Sequence, residues 1–278
     1  MGGISNYFKL TVQYLQSIIY KRLLGGRVGA LLVQTNHGLM AVAPSDRGVG
    51  RRLLIDGDYA AQELERLAAL VSEHDDILVV GAHIGAIAVP LARKCRELVA
   101  VEPNAASREL LELNLRINDI QNCRVLPIAA ADREGSLEML MNTANSGGSK
   151  RIPVRNLGFY SYDNPARVHV PARRLDTELG ARSFKLIVMD IEGSEYFALR
   201  GMQSILQQSS SLAVEFLPHH LRDVAGIDVA TFLAPIEPHF SSLFIPSRQV
   251  TVSRDRFKAT LEQMYADWSG DDGLIFSK

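Results

Sequence analysis

Ile77-Leu78-Val79-Val80-Gly81-Ala82-His83-Ile84-Gly85-Ala86 runs from an unbroken apolar segment into a glycine-bracketed turn and on into a helical pattern. Four consecutive aliphatic residues without polar alternation describe a strand covered on both faces, as in a parallel sheet flanked by helices. Beyond the turn, a helix is expected over 84–94, a strand over Glu97 to Glu102, a helix over 104–117 and a strand in CRVLPIA from Cys123. This alternation predicts a doubly wound α/β fold. KLIVMDI at 185–191 and SLAVEFL at 211–217 have the same buried-strand character. Asn104 is placed to cap the second helix, with Leu110, Asn114 and Ile117 on one face and Leu111 and Leu115 beside them.

Toward the N-terminus the rhythm changes. Ala60, Leu64, Leu67 and Val71 mark a helix, and residues 27–43 alternate as a hairpin around Asn36-His37-Gly38. Phe8, Val12, Leu15, Ile19 and Leu23 recur at helical spacing, so 4–24 reads as a helix ended by Gly25-Gly26. Its polar face carries only Lys9, Lys21 and Arg22, fewer cations than membrane-surface helices usually present, so packing on the body or on a second copy of the chain is expected. Residues 1–57 thus form a helix and hairpin extension to a domain over 58–278. Within that domain, 142–165 is rich in Gly, Asn, Ser and aromatics and too long for a simple connection, which suggests an insertion acting as a lid. A strand at 242–245, a helix holding Phe257, Leu261, Met264 and Trp268 in register and a closing strand GLIFS complete the pattern.

The formal net charge of the 278 residues is −1, which gives no reason to expect nucleic acid or an anionic membrane as the main partner. No apolar run reaches the roughly 20 residues needed to span a bilayer, and the start lacks the order of a secretory leader, so the cytoplasm is the expected compartment. Met1-Gly2 would open a myristoylation signal, but position six holds Asn6 where Ser or Thr is required. Cys95 and Cys123 have no metal-ligand spacing and are expected as free thiols.

The candidate chemistry sits at the strand ends. Gly81 and Gly85 let the backbone approach a ligand closely, with His83 between them. A dinucleotide fingerprint would need glycine at His83, which weakens a nicotinamide-dependent oxidoreductase. Glu102, at the end of the next strand and followed by Pro103 and Asn104, is placed to accept both ribose hydroxyls of an adenosine. After the third strand, Ala131 leaves room for a flat ring, and Asp132 could accept an adenine amino proton or serve as a turn residue. Asp190, Glu192 and Glu195 fall within six residues after a buried strand, and Glu215 ends the following one. Mutual repulsion raises the pKa of one member of such a group, which suits a base, and hard divalent cations also favour such oxygen clusters. Glu192 and Glu195 could instead offset a helix dipole and face water. His219 and His220 read as solvated loop residues without metalloprotease spacing.

Residues 58–215 resemble the FkbM family of methyltransferases. The resemblance rests on Val80-Gly81-Ala82-His83-Ile84-Gly85, Glu102-Pro103-Asn104, 129–135, 145–149, Leu175-Asp176 and, most diagnostically, Asp190-Ile191-Glu192-Gly193-Ser194-Glu195 with Leu199 and Gly201 beyond. It implies a Rossmann-like fold, S-adenosylmethionine as donor and O-methylation of a hydroxyl in a small molecule, sugar or secondary metabolite. Two positions depart from the family pattern: Val79 stands where an acid is usual, and Val188 where a lysine is common. A nucleotide-binding protein without turnover would show such departures. For methyl transfer to oxygen, Asp190 is the first choice of proton acceptor or metal ligand, supported by Glu192, Glu195 and Glu215, with Gly81, His83, Gly85, Glu102, Asn104, Ala131 and Asp132 holding the donor.

Overall fold

The computed structural model describes residues 2–25, 27–155 and 157–278, with side chains from residue 11 onward. Met1, Gly26 and the side chains of Phe8 and Lys9, which the sequence reading also used, lie outside the described residues. The chain begins with helix α1 (Gly2–Leu24), the antiparallel hairpin β1 (Leu31–Thr35) and β2 (Gly38–Val42), and two short helices, α2 (Val49–Asp56) and α3 (Ala61–Ala68). The Thr35 hydroxyl closes the hairpin turn by donating to the Gly38 carbonyl at 2.7 Å. The helix α2 was not expected, because Gly48, Gly50 and two arginines dilute its apolar pattern.

The predicted alternation follows: β3 (Asp76–Val80), α4 (Ala88–Ala92), β4 (Glu97–Val101), α5 (Ala105–Ile117) and β5 (Cys123–Leu126). Pro127 ends the third strand early, so Ala129-Ala130 separates as β6 (Ala129–Ala130). Next come β7 (Gly135–Met141), β8 (Lys150–Arg151) and β9 (Ala166–Arg173), which with β6 form a small second sheet in the order β6-β9-β7-β8. The strands β7 and β9 escape sequence reading because most of their residues are exposed or half-buried, and Pro171 lies within β9. The chain then returns through α6 (Leu175–Leu179), β10 (Leu186–Met189), α7 (Glu195–Arg200), α8 (Gln203–Gln208) and β11 (Ser211–Phe216). It ends with α9 (Val229–Leu233), β12 (Ser242–Ile245), β13 (Val250–Ser253), α10 (Phe257–Ala266) and β14 (Asp271–Ser277). Trp268 falls beyond α10 and is half exposed under the Arg222 guanidinium, not in the expected buried register.

The main sheet, in the order β13-β12-β14-β11-β10-β3-β4-β5, is parallel from β11 to β5 and antiparallel at its other edge. Both faces are covered. One apolar cluster gathers Met189, Val214 and Phe216 with α7 to α10; the other joins Val79, Leu98 and Ala100 to α4, α5 and the hairpin. Because the chain runs outward through β4 and β5 on one side of β3 and through β11 on the far side of β10, strand order reverses between β3 and β10. Open α/β sheets bind ligands in the crevice beyond such a reversal. Gly81 and Asp190 lie at that point.

Candidate active site

The backbone approach between β3 and β10 explains the first glycine. Gly81 has φ +91, and a Cβ there would stand 1.9 Å from the Asp190 carbonyl oxygen. Gly85, at φ +90, lets the turn settle on Leu111 of α5. Between them His83 adopts φ 50, a left-handed conformation uncommon for a residue with a side chain. Two bonds fix it: its amide donates to Glu102 Oε2 at 2.8 Å, and its Nε2 lies 2.7 Å from Ser146 Oγ. Since Ser146 donates its hydroxyl proton to Asp46 Oδ2 at 2.9 Å, His83 Nε2 carries the proton toward Ser146. Burial lowers the His83 pKa, against the opposing pull of Asp46 and Glu192, which keeps the imidazole neutral.

Glu102 is buried at the end of β4, with Oε1 accepting the Asn104 amide at 2.8 Å. Burial raises its pKa to about 7 although the Asn104 and His83 amides oppose this. Asn104 caps α5 by accepting the Ala106 amide. Glu102 edges a cavity of about 570 Å³, mouth included, whose apolar walls come from Val101, Ala130, Met139 and Ile191. Ala131 and Asp132 are not brought to this cavity. The turn after Pro127 carries them past it into an adjoining one, where Asp132 pairs with Arg200 at 3.7 Å, and the Ala131 carbonyl packs against Gly201.

The acidic segment divides into separate environments. Glu192 takes φ 55 and Gly193 φ +94, a tight turn in which a Cβ at 193 would collide with Val224. Glu195 is buried, not facing water: its Oε1 accepts the Ile191 amide at 3.0 Å and the Gly193 amide at 3.2 Å, tying the turn together. Burial and Glu215 raise its pKa to about 7. Glu192 Oε2 meets Lys150 Nζ at 3.0 Å and His220 Nε2 at 3.2 Å. Burial alone would raise Glu192, but Lys150 and His220 hold it well below the usual carboxylate range.

His220 is buried, not solvated. Its Nδ1 lies 2.8 Å from Glu215 Oε2, so the ring bridges two carboxylates. Burial works against its charge, yet Glu215 and Glu192 lift its pKa to about 10. Glu215 is raised by burial against the pull of His220. Asp190 alone among these acids opens widely to the cleft. Its walls and its neighbours Glu215, Glu192 and Glu195 push its pKa well above the ordinary value. Lys150 and His220 were missed by sequence reading. Lys150 had no local signal at all, whereas His220, five residues beyond a buried strand-end acid, had a weak one.

Lys150 comes from the 142–165 segment. Asp163 anchors that segment by accepting from Asn142 Nδ2 and the amides of Thr143 and Ala144 at 2.7 to 2.9 Å, and Tyr160 is buried with its hydroxyl on the His219 carbonyl. Opposite, Arg52, Tyr59 and Glu63 of the N-terminal part wall a larger cleft of about 1800 Å³, mouth included. The cleft reaches Val79, Val188, Asp190 and Glu215, and it shares Gly81, His83, Asp190 and Glu192 with the cavity beside Glu102. Among the described residues no three His, Cys, Asp or Glu side chains are grouped to hold a metal ion.

The sequence model of the family described as "Methyltransferase FkbM domain" matches residues 80–229. No curated protein matches the chain. Similar solved structures include an rRNA methylase from Streptococcus thermophilus, at 11% identity over 78% of this chain and 94% of that one, with a TM-score of 0.43. A TehB-like SAM-dependent methyltransferase from Corynebacterium glutamicum aligns at 13% identity over 82% and 93%, with a TM-score of 0.44. A putative methyltransferase from Streptococcus mutans, in complex with SAH, aligns at 9% identity over 78% and 97%, with a TM-score of 0.45.

Proposed function

The chain belongs to the FkbM family of methyltransferases, and from that premise we propose that it moves the methyl group of S-adenosylmethionine to a hydroxyl oxygen of a small molecule or sugar. The observation that carries the reading is the position of Asp190, on the boundary shared by the cavity beside Glu102 and the open cleft.

When bound, S-adenosylmethionine supplies a methyl group on a sulfonium, which is transferred in one displacement. The protein's part is positioning and proton management. Glu102, with free lone pairs beyond its two amide bonds, would accept the ribose hydroxyls. The walls of Val101, Ala130, Met139 and Ile191 would cover an adenine and exclude water. Asp190 would take the acceptor's hydroxyl proton. Its raised pKa makes it a stronger base once ionised, while Glu192, charged between Lys150 and His220, is a fixed anion. Opposite environments for adjoining carboxyls separate the proton-exchanging member from the permanently ionised one.

The cleft lining sets only Arg52 and Arg66 beside Glu63, Asp190, Glu192, Glu215 and Asp272, with Glu192 and Glu215 already held by Lys150 and His220, so it lacks the cation-rich track that grips a phosphate backbone. The test is release of adenosylhomocysteine from a panel of hydroxylated sugars and polyketide-like alcohols, with structured RNA in parallel. Turnover on a hydroxylated small molecule supports the reading. Turnover on RNA alone would overturn it.

A further inference from the structure

Among its described side chains, the helix α1 turns an apolar stripe outward. Val12, Leu15, Ile19 and Leu23, at intervals of three and four, share one face, and they are 36%, 54%, 53% and 78% exposed. On the opposite side Ser17 is covered, Ile18 is half-buried, and the Arg47 guanidinium stacks on the Tyr20 ring at 4.4 Å. A surface helix normally hides its apolar stripe against the core. Here the body does not take it, so something else must.

Charge identifies the occupant. Residues 1–57 hold seven basic side chains and two acidic ones, Asp46 and Asp56, a surplus of five positive charges, while the remainder carries a surplus of six negative charges. Asp46 is buried on the Gly48 and Gly50 amides and Ser146, so it offsets nothing at the surface. Lys21, Arg22, Arg27 and Arg51 are exposed, as are Leu32 and Ile55. A second copy packed stripe to stripe would oppose two like-charged helices, with no acid before Asp46 to neutralise them. Nucleic acid would use the cations and leave the leucine and isoleucine side chains in water.

We propose that the N-terminal extension docks the protein on an anionic lipid surface, with α1 in the headgroup plane, its stripe among the acyl chains and Lys21, Arg22 and Arg27 among the headgroups. No helix among the described residues is long and apolar enough to cross a membrane, so α1 lies on the bilayer without spanning it. The acidic remainder is repelled by the same surface, which orients the molecule with the extension down. The modest number of cations on the helix itself is supplemented by Arg27 and Arg51 around it. This inference is independent of the methyl-transfer reading.

The test is co-sedimentation of the full chain with vesicles of phosphatidylcholine alone and of phosphatidylcholine mixed with phosphatidylserine. Binding is expected only to the mixed vesicles, weakening as salt is added. Leu15→Glu with Ile19→Glu should lower the bound-to-free ratio about tenfold or more, from lost apolar burial. Lys21→Glu or Arg22→Glu should lower it about fivefold or more, and these variants decide the matter if the first fails to fold. Absence of binding to the mixed vesicles, or equal binding by the variants, overturns the proposal. So does a light-scattering mass of a dimer that Leu15→Glu with Ile19→Glu converts to a monomer, which would give the stripe to a second copy.

Discussion

Val79 and Val188 are direct partners in the parallel ladder between β3 and β10, and both line the cleft. The two departures from the family pattern therefore fall on one cross-strand pair. Where the resemblance places an acid and a lysine on neighbouring strands, this chain has an apolar contact, with no orphaned charge left behind. Replacing both members of a buried ion pair by apolar residues is often neutral or stabilising, whereas removing one is costly. The exchange is thus compatible with a stable sheet. Val79→Asp and Val188→Lys should each lower stability by about 2 kcal/mol or more, and the double variant should recover at least half of the summed loss. Urea unfolding of the four proteins measures this, and simple additivity of the two losses would contradict the pairing.

Glu102→Ala should weaken S-adenosylmethionine binding more than about tenfold, since charge-assisted hydrogen bonds contribute about 1.5 to 3 kcal/mol. With the Glu102 pKa at about 7, the ionised carboxylate that accepts two hydroxyl bonds forms as pH rises through neutrality. Donor affinity should therefore increase with pH and level off above that value. Calorimetry across the range checks both outcomes, and a flat profile would detach Glu102 from the ribose.

Asp190→Asn keeps the volume and removes the carboxylate proposed to accept the proton. Turnover should drop on the order of a hundredfold while donor affinity and folding barely change. Because the Asp190 pKa is raised, wild-type turnover should climb with pH above the ordinary carboxylate range. The Asn variant should lack that limb. Full activity in the variant would remove Asp190 from the chemistry.

His220 provides a stability test away from turnover. Its pKa is raised to about 10 by Glu215 and Glu192, so its contribution is complete below the free imidazole value and is lost as pH rises through about 10. Urea midpoints should fall between neutral pH and about 10. His220→Asn should be less stable at neutral pH, with a shallower alkaline decline. An unchanged slope in the variant would mean that other groups produce it.

The parallel strands were legible because burial on both faces leaves an uninterrupted aliphatic run, as in 77–80 and 186–189. Glu102, Asp190 and Glu215 could be found because each terminates such a run. The second sheet could not be found, because β9 exposes most of its side chains and alternates too weakly to signal a strand. Asp132 lies on the adjoining cavity for a backbone reason: the break after Leu126 turns the chain, so counting residues past the third strand no longer measures position at the sheet edge. Lys150 and His220 reach Glu192 from segments that share no pattern with it, and only the folded chain brings the three together.

Asn114 of α5 has a consequence for how the molecule can be divided. Its side chain is fully buried, accepting the Ala41 amide at 2.5 Å and donating to the Ala41 carbonyl at 3.1 Å and the Ile84 carbonyl at 2.8 Å. One amide thus clips the hairpin and the glycine turn to the same helix. A protein cut after residue 57 would take away both Ala41 bonds of that amide and leave it only the Ile84 carbonyl. The same cut would uncover the face of α5 that β2 now covers. The hairpin is consequently a keystone of the glycine turn, and shuffling the extension between relatives would have to carry Asn114 with it.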